Sequence, residues 1–324
     1  MAITSNNVFD NDNPMREDLT DKIWLIDPSD TPFYSNCPRT KATATTHEWQ
    51  TDVLAAAGSH AVADGADATF AADTDTVRLT NTCQISRKTC AVSGTYDAID
   101  KAGMKSAMAY QLAKKGLELK RDIETALIGV EDGQIKVAGD NTPTARKLGN
   151  YTTWVTSNLS EAADASTSTG LGADQRTAGT ARVFTEDMLT SVIDSIWNNG
   201  GKAEIIMAGT FNKRKITGFS GAADEKKGNV SDRTIINAVD WYVSDYGTSA
   251  VVPNRFINAD DVLVYQQDMW KLAWLRPMQT VSLCSNARRF NAASSASMSA
   301  IRMSAARVSC TLKHVSRTSD DVIP

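Results

Sequence analysis

The chain has 324 residues, 42% of them hydrophobic and 22% charged, with a formal net charge of −4. This length predicts one large domain or two to three smaller ones, and the composition is ordinary for a globular protein. No apolar stretch approaches the roughly 18 residues that a transmembrane helix needs, which excludes a helical membrane protein. The opening, MAITSNNVFDNDNPMRED, is too polar and acidic for a secretory signal, so we expect synthesis in the cytoplasm.

The cysteine and charge patterns further limit the kinds of protein that the chain can be. Five cysteines occur without a C-x-x-C pair, so we expect reduced thiols rather than a zinc site or a disulfide framework. Residues 1–75 carry thirteen acidic and four basic residues, whereas residues 271–319 carry eight basic residues and no acidic one. Either these are two solvated faces of one monomer, or the acidic start of one subunit meets the basic end of a neighbour.

The first 42 residues form an arm without the apolar content of a core. REDLTDKIWLID predicts a short helix, because Leu19, Ile23 and Ile26 follow helical spacing. The following DPSDTPFYSNCPR contains three prolines, which predicts irregular structure. Because it lacks a core of its own, the arm must pack against another surface to be stable.

Two alternating runs, THEWQTDVL and TVRLTNTCQIS, flank a stretch of small residues within residues 43–92. The alternation predicts strands, and pairing the two gives a two-stranded ribbon, which is marginal in water by itself. Its tip, AAAGSHAVADGADATFAAD, cannot fill a core. We therefore expect the tip to contact another molecule.

Residues 98–128 predict the longest helix of the chain. Met104, Leu119 and Leu127 belong to an apolar stripe on one side, while basic residues occupy much of the rest. We interpret this stripe as core packing rather than as a cofactor site. Gly129 suits the end of the helix.

The second half of the chain predicts a compact α/β unit followed by strands. Residues 129–182 predict loops with an anchored turn at Trp154, and a helix then begins behind Thr185 as its cap. The predicted buried stripe of that helix is Leu189, Ile193, Ile196 and Trp197. AEIIMAG predicts a fully buried strand, and TFNKRKITGF predicts a further helix. Residues 233–283 predict four strands separated by turn residues.

Motifs for catalysis and cofactor binding are missing from the sequence. His47 and Glu48 are neighbours in a predicted strand and point to opposite faces, so they make no acid–base pair. There is no G-x-S-x-G elbow, no P-loop and no G-x-G-x-x-G fingerprint. The basic residues 271–319 are compatible only with weak, non-specific phosphate contact. We expect no enzyme, no cofactor and no metal site.

The order of these parts carries a family resemblance. Five segments within residues 16–283 support it in sequence: REDLTDKIWLIDPSDTPFYSNC, KATATTHEWQTDVLAAA, ARKLGNYTTWV, TEDMLTSVIDSIWNNGGKAEIIMAGTFNKRKITGF and DMWKLAWLRPMQTVSL. Together they resemble the major capsid proteins of tailed bacteriophages (Caudoviricetes), which share the Hong Kong-type capsid fold.

The resemblance implies an α+β fold with an N-terminal arm, an extended β-ribbon loop, a long spine helix, and peripheral and axial domains. The implied boundaries are 1–42 for the arm, 43–92 for the extended loop, 93–183 for the spine helix and peripheral domain, 184–265 for the axial domain, and 266–324 for the return to the peripheral domain and the C-terminal segment. The implied function is structural: a head protein of the virion that self-assembles into hexamers and pentamers of an icosahedral shell around double-stranded DNA.

The resemblance also predicts where subunits touch. In this family the extended loop lies over a neighbouring subunit, and the arm packs along an adjacent one. The candidate subunit-contact residues are Trp24, Phe33, His47, Trp49, Asp52, Asp64, Asp67, Phe70, Arg276, Arg288 and Arg289. Each of them could instead pack within its own subunit.

Further partners follow from the same resemblance: a portal, DNA packaged without sequence preference, and, as an option, a decoration protein, but no membrane. About forty residues precede the ribbon, which leaves no room for a long cleaved scaffolding segment, so we expect a separate scaffolding protein. The stretch from Cys284 to the end departs from the family's usual ending, through lineage divergence or a shifted reading frame.

Two alternatives remain open at this stage. An encapsulin-like shell for a cargo enzyme uses the same fold without a genome. A hydrolase or binding protein with an unrecognised site would instead be a stable monomer or small oligomer with a pocket.

Overall fold

The computed structural model of the protein describes residues 18–67, 75–129, 134–140, 144–219, 240–283, 289–299 and 309–316. Within these ranges the helices are α1 (Pro32–Asn36), α2 (Gly94–Ala98), α3 (Ala107–Ile128), α4 (Tyr151–Trp154), α5 (Glu186–Asn198) and α6 (Thr210–Thr217). The strands are β1 (Arg39–Lys41), β2 (Thr46–Thr51), β3 (Val77–Thr82), β4 (Gln84–Ala91), β5 (Leu159–Glu161), β6 (Ile205–Ala208), β7 (Trp241–Ser244), β8 (Gly247–Pro253), β9 (Asp261–Tyr265), β10 (Lys271–Leu283), β11 (Arg289–Ser299) and β12 (Ser309–Ser316). None of the helices in the described part has the length and apolarity that crossing a membrane requires.

The described strands form three sheets. A six-stranded sheet has the order β5-β12-β9-β6-β8-β7, a four-stranded sheet has the order β1-β10-β11-β4, and β2 and β3 form a two-stranded sheet. Strands β7 to β10 confirm the strands predicted between residues 240 and 283, whereas residues 234–239 of the first predicted strand lie outside the described residues. The mixture of helices and sheets confirms the predicted α+β class.

Hydrophobic packing covers both faces of the six-stranded sheet. Successive strand residues point to opposite faces, so Ile206 and Val264 join one core while Met207 and Tyr265 join the other. Helix α5 contributes to the first core and α3 to the second. All of β6 is buried, which confirms the prediction for AEIIMAG.

Helix α5 packs on the sheet by most of its predicted stripe. Three of the predicted residues are buried: Leu189, Ile193 and Ile196. The prediction for Trp197 was wrong, because its side chain is 50% exposed and stacks on Tyr246. A step of one residue turns a helix by more than a quarter of a circle, which carries Trp197 off the face of its neighbour Ile196. Thr185 occupies the cap position as predicted, but its side chain makes no capping hydrogen bond.

Helix α3 begins later than the helix predicted over residues 98–128. Gly103 has a φ of +78°, a left-handed conformation that interrupts a helix. Ser106 then caps α3 with its hydroxyl, and an Asp97 carboxylate oxygen accepts a hydrogen bond from the first helical amide at 2.8 Å. The end of the helix at Gly129 agrees with the prediction.

Two predictions for the arm were wrong. The described residues 18–31 are not helical, although REDLTDKIWLID has helical spacing. The proline-rich stretch predicted to be irregular instead contains α1. Pro32 suits a first helical turn because its fixed φ is already helical and it has no amide hydrogen to leave unpaired. In this stretch a proline therefore marks the start of a helix rather than an irregular segment.

Candidate intersubunit surface

The arm exposes a run of apolar side chains. Ile23, Trp24, Leu25 and Ile26 are 42%, 78%, 51% and 93% exposed in the isolated chain. A contiguous apolar patch of this kind is typical of a surface that another molecule covers. Trp24, one of the predicted contact residues, lies in the middle of it.

Exposed polar contacts link the outer arm to its own chain. The Gly103 amide donates to Asp21 Oδ1 at 3.4 Å, and Arg121 Nη1 lies 3.9 Å from Asp27 Oδ2. The arm therefore runs along α3 towards the start of that helix. Exposed contacts of this kind contribute about 0–1 kcal/mol each.

The root of the arm, in contrast, is buried within the chain. Phe33 is 0% exposed and packs edge-on against Tyr265 and Trp270, with ring centroids 5.6 and 6.1 Å apart. The amides of Phe33 and Tyr34 donate to the two carboxylate oxygens of Glu124 at 2.9 and 2.6 Å. Phe33 is thus a core residue of its own subunit, the alternative that the sequence left open.

The ribbon has the predicted strand pairing. Thr46 pairs with Thr82 and Thr51 with Val77, in antiparallel register. An exposed ion pair joins Arg78 and Glu48 across it at 3.4 Å. The two strands are therefore joined as one unit.

The root of the ribbon is fixed by aromatic packing. Trp49 is 7% exposed and packs against Trp154 with a centroid distance of 5.3 Å. His47 is half-buried, stacks on Trp49, and has its pKa lowered by burial. The side chain of Trp154 is buried in α4, which confirms the anchored turn. Trp49 therefore holds the ribbon to its own subunit, and His47 packs beside it on the same strand.

A lysine that sequence reasoning missed completes this root. Lys136 Nζ donates to the Thr80 carbonyl oxygen at 2.9 Å and to the Leu171 carbonyl oxygen at 2.9 Å. It also lies 5.9 Å from the centroid of the Trp154 ring, and burial lowers its pKa. The lysine ties the ribbon to the loop that covers Trp154.

The tip of the ribbon has the opposite character. Every described residue of the tip, from 55 to 67, is exposed, and so are residues 52–54 at the end of the ribbon stem. Asp52, Asp64 and Asp67 are among them, as are Leu54 and Val62, which are 94% and 74% exposed. Phe70 lies outside the described residues. The tip thus combines acidic groups with exposed aliphatic ones, and sequence reasoning overlooked the aliphatic ones.

Two of the three predicted basic acceptors, Arg276 and Arg289, lie on strands of the four-stranded sheet. Arg276 is exposed on β10, beside a register shift in its pairing with β11. Arg289 begins β11, where its backbone pairs with Ala91. The side chain of Arg289 and all of Arg288 lie outside the described residues.

Within the described residues, His, Cys, Asp and Glu side chains form no group of three or more that could hold a metal ion. Three of the buried ionisable side chains, Arg176, Asp261 and Glu161, form ion pairs within the fold. Arg176 Nη2 lies 3.0 Å from Asp261 Oδ2, and Arg176 Nη1 lies 3.8 Å from Glu161 Oε1. Tyr151 also donates to Asp261. This cluster joins a loop to the six-stranded sheet.

Comparison with known proteins places this architecture in a family. The family model described as SU10 major capsid protein matches residues 2–292. A stretch of 107 residues, 33% of this chain, is 38% identical to the major capsid protein of Escherichia phage Phieco32 and spans 30% of that relative's length.

Solved capsid structures share the fold at low sequence identity. The chain aligns with a protein of the cyanophage A-1(L) capsid asymmetric unit at a TM-score of 0.63 and 11% identity, over 94% of this chain and 98% of that one. It aligns with a chain of Microbacterium phage Oxtober96 at a TM-score of 0.54 and 13% identity, over 92% and 96%. These likenesses confirm the predicted Hong Kong-type capsid fold. By its family match, the chain belongs to the SU10 major capsid proteins.

Proposed function

We propose that the chain is the repeating head subunit of a tailed phage, which assembles with its own copies into hexamers and pentamers of an icosahedral shell around double-stranded DNA. The observation that carries the proposal is the exposure of two projecting segments. The arm and the ribbon tip present apolar side chains that nothing in the described part of the chain covers.

Burial of these side chains supplies a driving force for association. Each square ångström of apolar surface removed from water contributes about 25 cal/mol. Trp24, Ile26 and Leu54, all more than three-quarters exposed among the described residues, gain this free energy when a neighbouring copy covers them. Many modest contacts of this kind, repeated around a closed shell, give a strong assembly.

Charge supports the same arrangement. The ribbon carries Asp52 at the end of its stem and Asp64 and Asp67 at its tip, all exposed, and β10 carries the exposed Arg276. Opposite charges on two surfaces of one subunit favour head-to-tail contact between copies and disfavour like-to-like contact. We propose that the acidic tip of one subunit lies against the basic edge of the next, with Phe70, Arg288 and Arg289 as further contact residues.

The proposal assigns the predicted domains their places in a capsomer. Residues 184–265 form the axial domain at its centre, and residues 93–183 with the return in residues 266–324 form the spine helix and the peripheral domain. Two strands of the six-stranded sheet, β5 and β12, lie outside residues 184–265. The partners are a separate scaffolding protein, a portal, packaged DNA and, as an option, a decoration protein, with assembly in the host cytoplasm.

The matched family and the matched relative are both described as phage major capsid proteins. This favours a phage head over an encapsulin-like compartment. The prediction that the chain is not an enzyme stays a prediction, and the structural role of the family supports it.

Negative-stain electron microscopy with light scattering on the purified chain tests the proposal. We expect shells, tubes or hexameric rings, alone or once the scaffolding protein is supplied. A chain that stays monomeric with the scaffolding protein present would contradict the proposal, and the alternative of a monomer with a pocket would take its place.

A further inference from the structure

The buried carboxyl of Glu124 joins three segments that are far apart in sequence. Glu124 lies on α3 and is 0% exposed. Its Oε1 accepts a hydrogen bond from the Phe33 amide at 2.9 Å, and its Oε2 accepts one from the Tyr34 amide at 2.6 Å. Oε1 also accepts from Asn254 Nδ2 at 2.7 Å. The arm, the long helix and the stretch after β8 therefore meet at one side chain.

Each of these hydrogen bonds holds an element in place. The two arm amides belong to the first turn of α1, where a helix has no backbone acceptors of its own. Asn254 Oδ1 accepts from the Phe256 amide at 2.8 Å, so the same asparagine also shapes the turn that follows β8. A buried carboxyl is costly unless such donors satisfy it, which makes this contact sensitive to small changes.

We propose that Glu124 is the positioning residue of the arm. It holds α1 on α3 and so sets the point and the direction from which residues 18–31 leave the core towards a neighbouring copy. The role in assembly rests on the proposed function, in which the arm contacts a second subunit. The docking of α1 within one chain does not depend on it.

The surroundings of Glu124 make the docking sensitive to pH. Burial raises the pKa of its carboxyl, and the opposing hydrogen bonds from Tyr34, Phe33 and Asn254 do not cancel this effect. When α1 is released, water reaches the carboxyl and its pKa returns towards the ordinary range. The docked state therefore binds a proton more tightly than the released state.

The sign of the effect follows from that difference. The contribution to docking is fully present below the ordinary carboxyl pKa and is lost as pH rises through the raised value. Cys37 from the arm and Tyr265 from β9 face the same carboxyl, and burial raises the pKa of both, so they stay neutral there. Arg121, one turn earlier on α3, is paired with Asp27 at 3.9 Å.

Chymotrypsin cleavage after Phe33 and Tyr34 measures the docking directly. Both side chains are buried, at 0% and 5% exposure, so the protease reaches them only after α1 is released. The substrate is the purified, unassembled full-length chain, and an unfolded peptide of residues 28–41 corrects for the protease's own pH profile. The control variant is Glu118→Ala, which removes a glutamate of the same helix that pairs with Lys115 instead of the arm.

We expect Glu124→Ala to raise the cleavage rate about ten- to a hundredfold, because buried donors lose their acceptor, and Glu124→Gln to raise it less. The wild-type rate should rise as pH increases from the ordinary carboxyl range through the raised pKa of Glu124, and this rise should vanish in Glu124→Gln, which carries no titratable group. Circular dichroism establishes that each variant is folded.

Cleavage of Glu124→Gln at the wild-type rate and with the wild-type pH dependence would overturn the inference. So would equal rates for Glu124→Ala and Glu118→Ala. Assembly is measured separately: if the wild type forms no shell while cleavage behaves as expected, the proposed function fails and the docking role of Glu124 stands.

Discussion

The root and the tip of the ribbon are continuous in sequence and opposite in environment. Trp49 is 7% exposed and packs on Trp154, whereas Leu54, five positions later, is 94% exposed. The arm repeats the contrast, with Phe33 fully buried and Trp24 78% exposed. Each projecting segment is anchored to its own chain at one end and presents uncovered side chains at the other. Stability and assembly should therefore be separable by mutation.

The largest expected effect lies at the ribbon root. Trp154→Ala removes a 1% exposed indole that packs on Trp49, so we expect the free energy of unfolding to fall by about 3–5 kcal/mol. Urea denaturation followed by circular dichroism measures it. A loss under about 1 kcal/mol would show that the root does not depend on this pair.

The buried ion cluster gives the next test of the anchored side. Arg176→Ala leaves Asp261 and Glu161 without their guanidinium partner, which should cost about 3 kcal/mol or more. Burial lowers the pKa of Arg176, but Asp261, Tyr151 and Glu161 together raise it further, so this side chain stays charged at any working pH. The same denaturation experiment applies, and Arg78→Ala on the exposed ribbon serves as its control, with an expected change near zero.

A glycine beside Trp154 gives a smaller, steric effect. Gly172 has a φ of +75°, and a Cβ there would lie 2.7 Å from Trp154 Cζ2. Gly172→Ala should therefore destabilise the fold by about 1–3 kcal/mol. Unchanged stability, measured as the denaturation midpoint, would mean that the loop is not tied to the ribbon root. Gly58→Ala is the matched control, because a Cβ there meets nothing within 4 Å.

The smallest effect on stability should come from the exposed arm. Trp24→Ala should change the free energy of unfolding by less than about 0.5 kcal/mol and yet reduce assembly, measured by light scattering. Phe33→Ala, its buried counterpart, should lose about 3–5 kcal/mol. If Trp24→Ala assembles normally, the contacts between subunits are made by the ribbon and not by the arm.

The strongly patterned elements could be predicted from sequence, because their signals are local. The alternation in THEWQT and VRLTNT predicted the ribbon, and the apolar spacing around Ile193 predicted α5. The helix over residues 98–128 was predicted too long, because the left-handed Gly103 overrides the apolar pattern. For the arm, Leu19, Ile23 and Ile26 have helical spacing but no core to pack on, so the pattern had nothing to stabilise.

The site was predicted less completely. Exposure of Trp24 and burial of Phe33 depend on long-range packing that spacing does not encode. The burial of Glu124 could have been predicted from the sequence. It lies one turn before the apolar Ile128 on the core side of the helix, where a charged side chain needs hydrogen-bonding partners. The role of Lys136 could not, because its acceptors are backbone carbonyls of distant segments.

The most direct test of the account deletes residues 56–72, the ribbon tip, and bridges the gap with a short Gly-Ser link. The purified variant is compared with the wild type by urea denaturation and by electron microscopy under assembly conditions. The account predicts that the free energy of unfolding stays within about 0.5 kcal/mol while shells no longer form. A variant that builds normal shells would contradict the claim that the tip joins subunits.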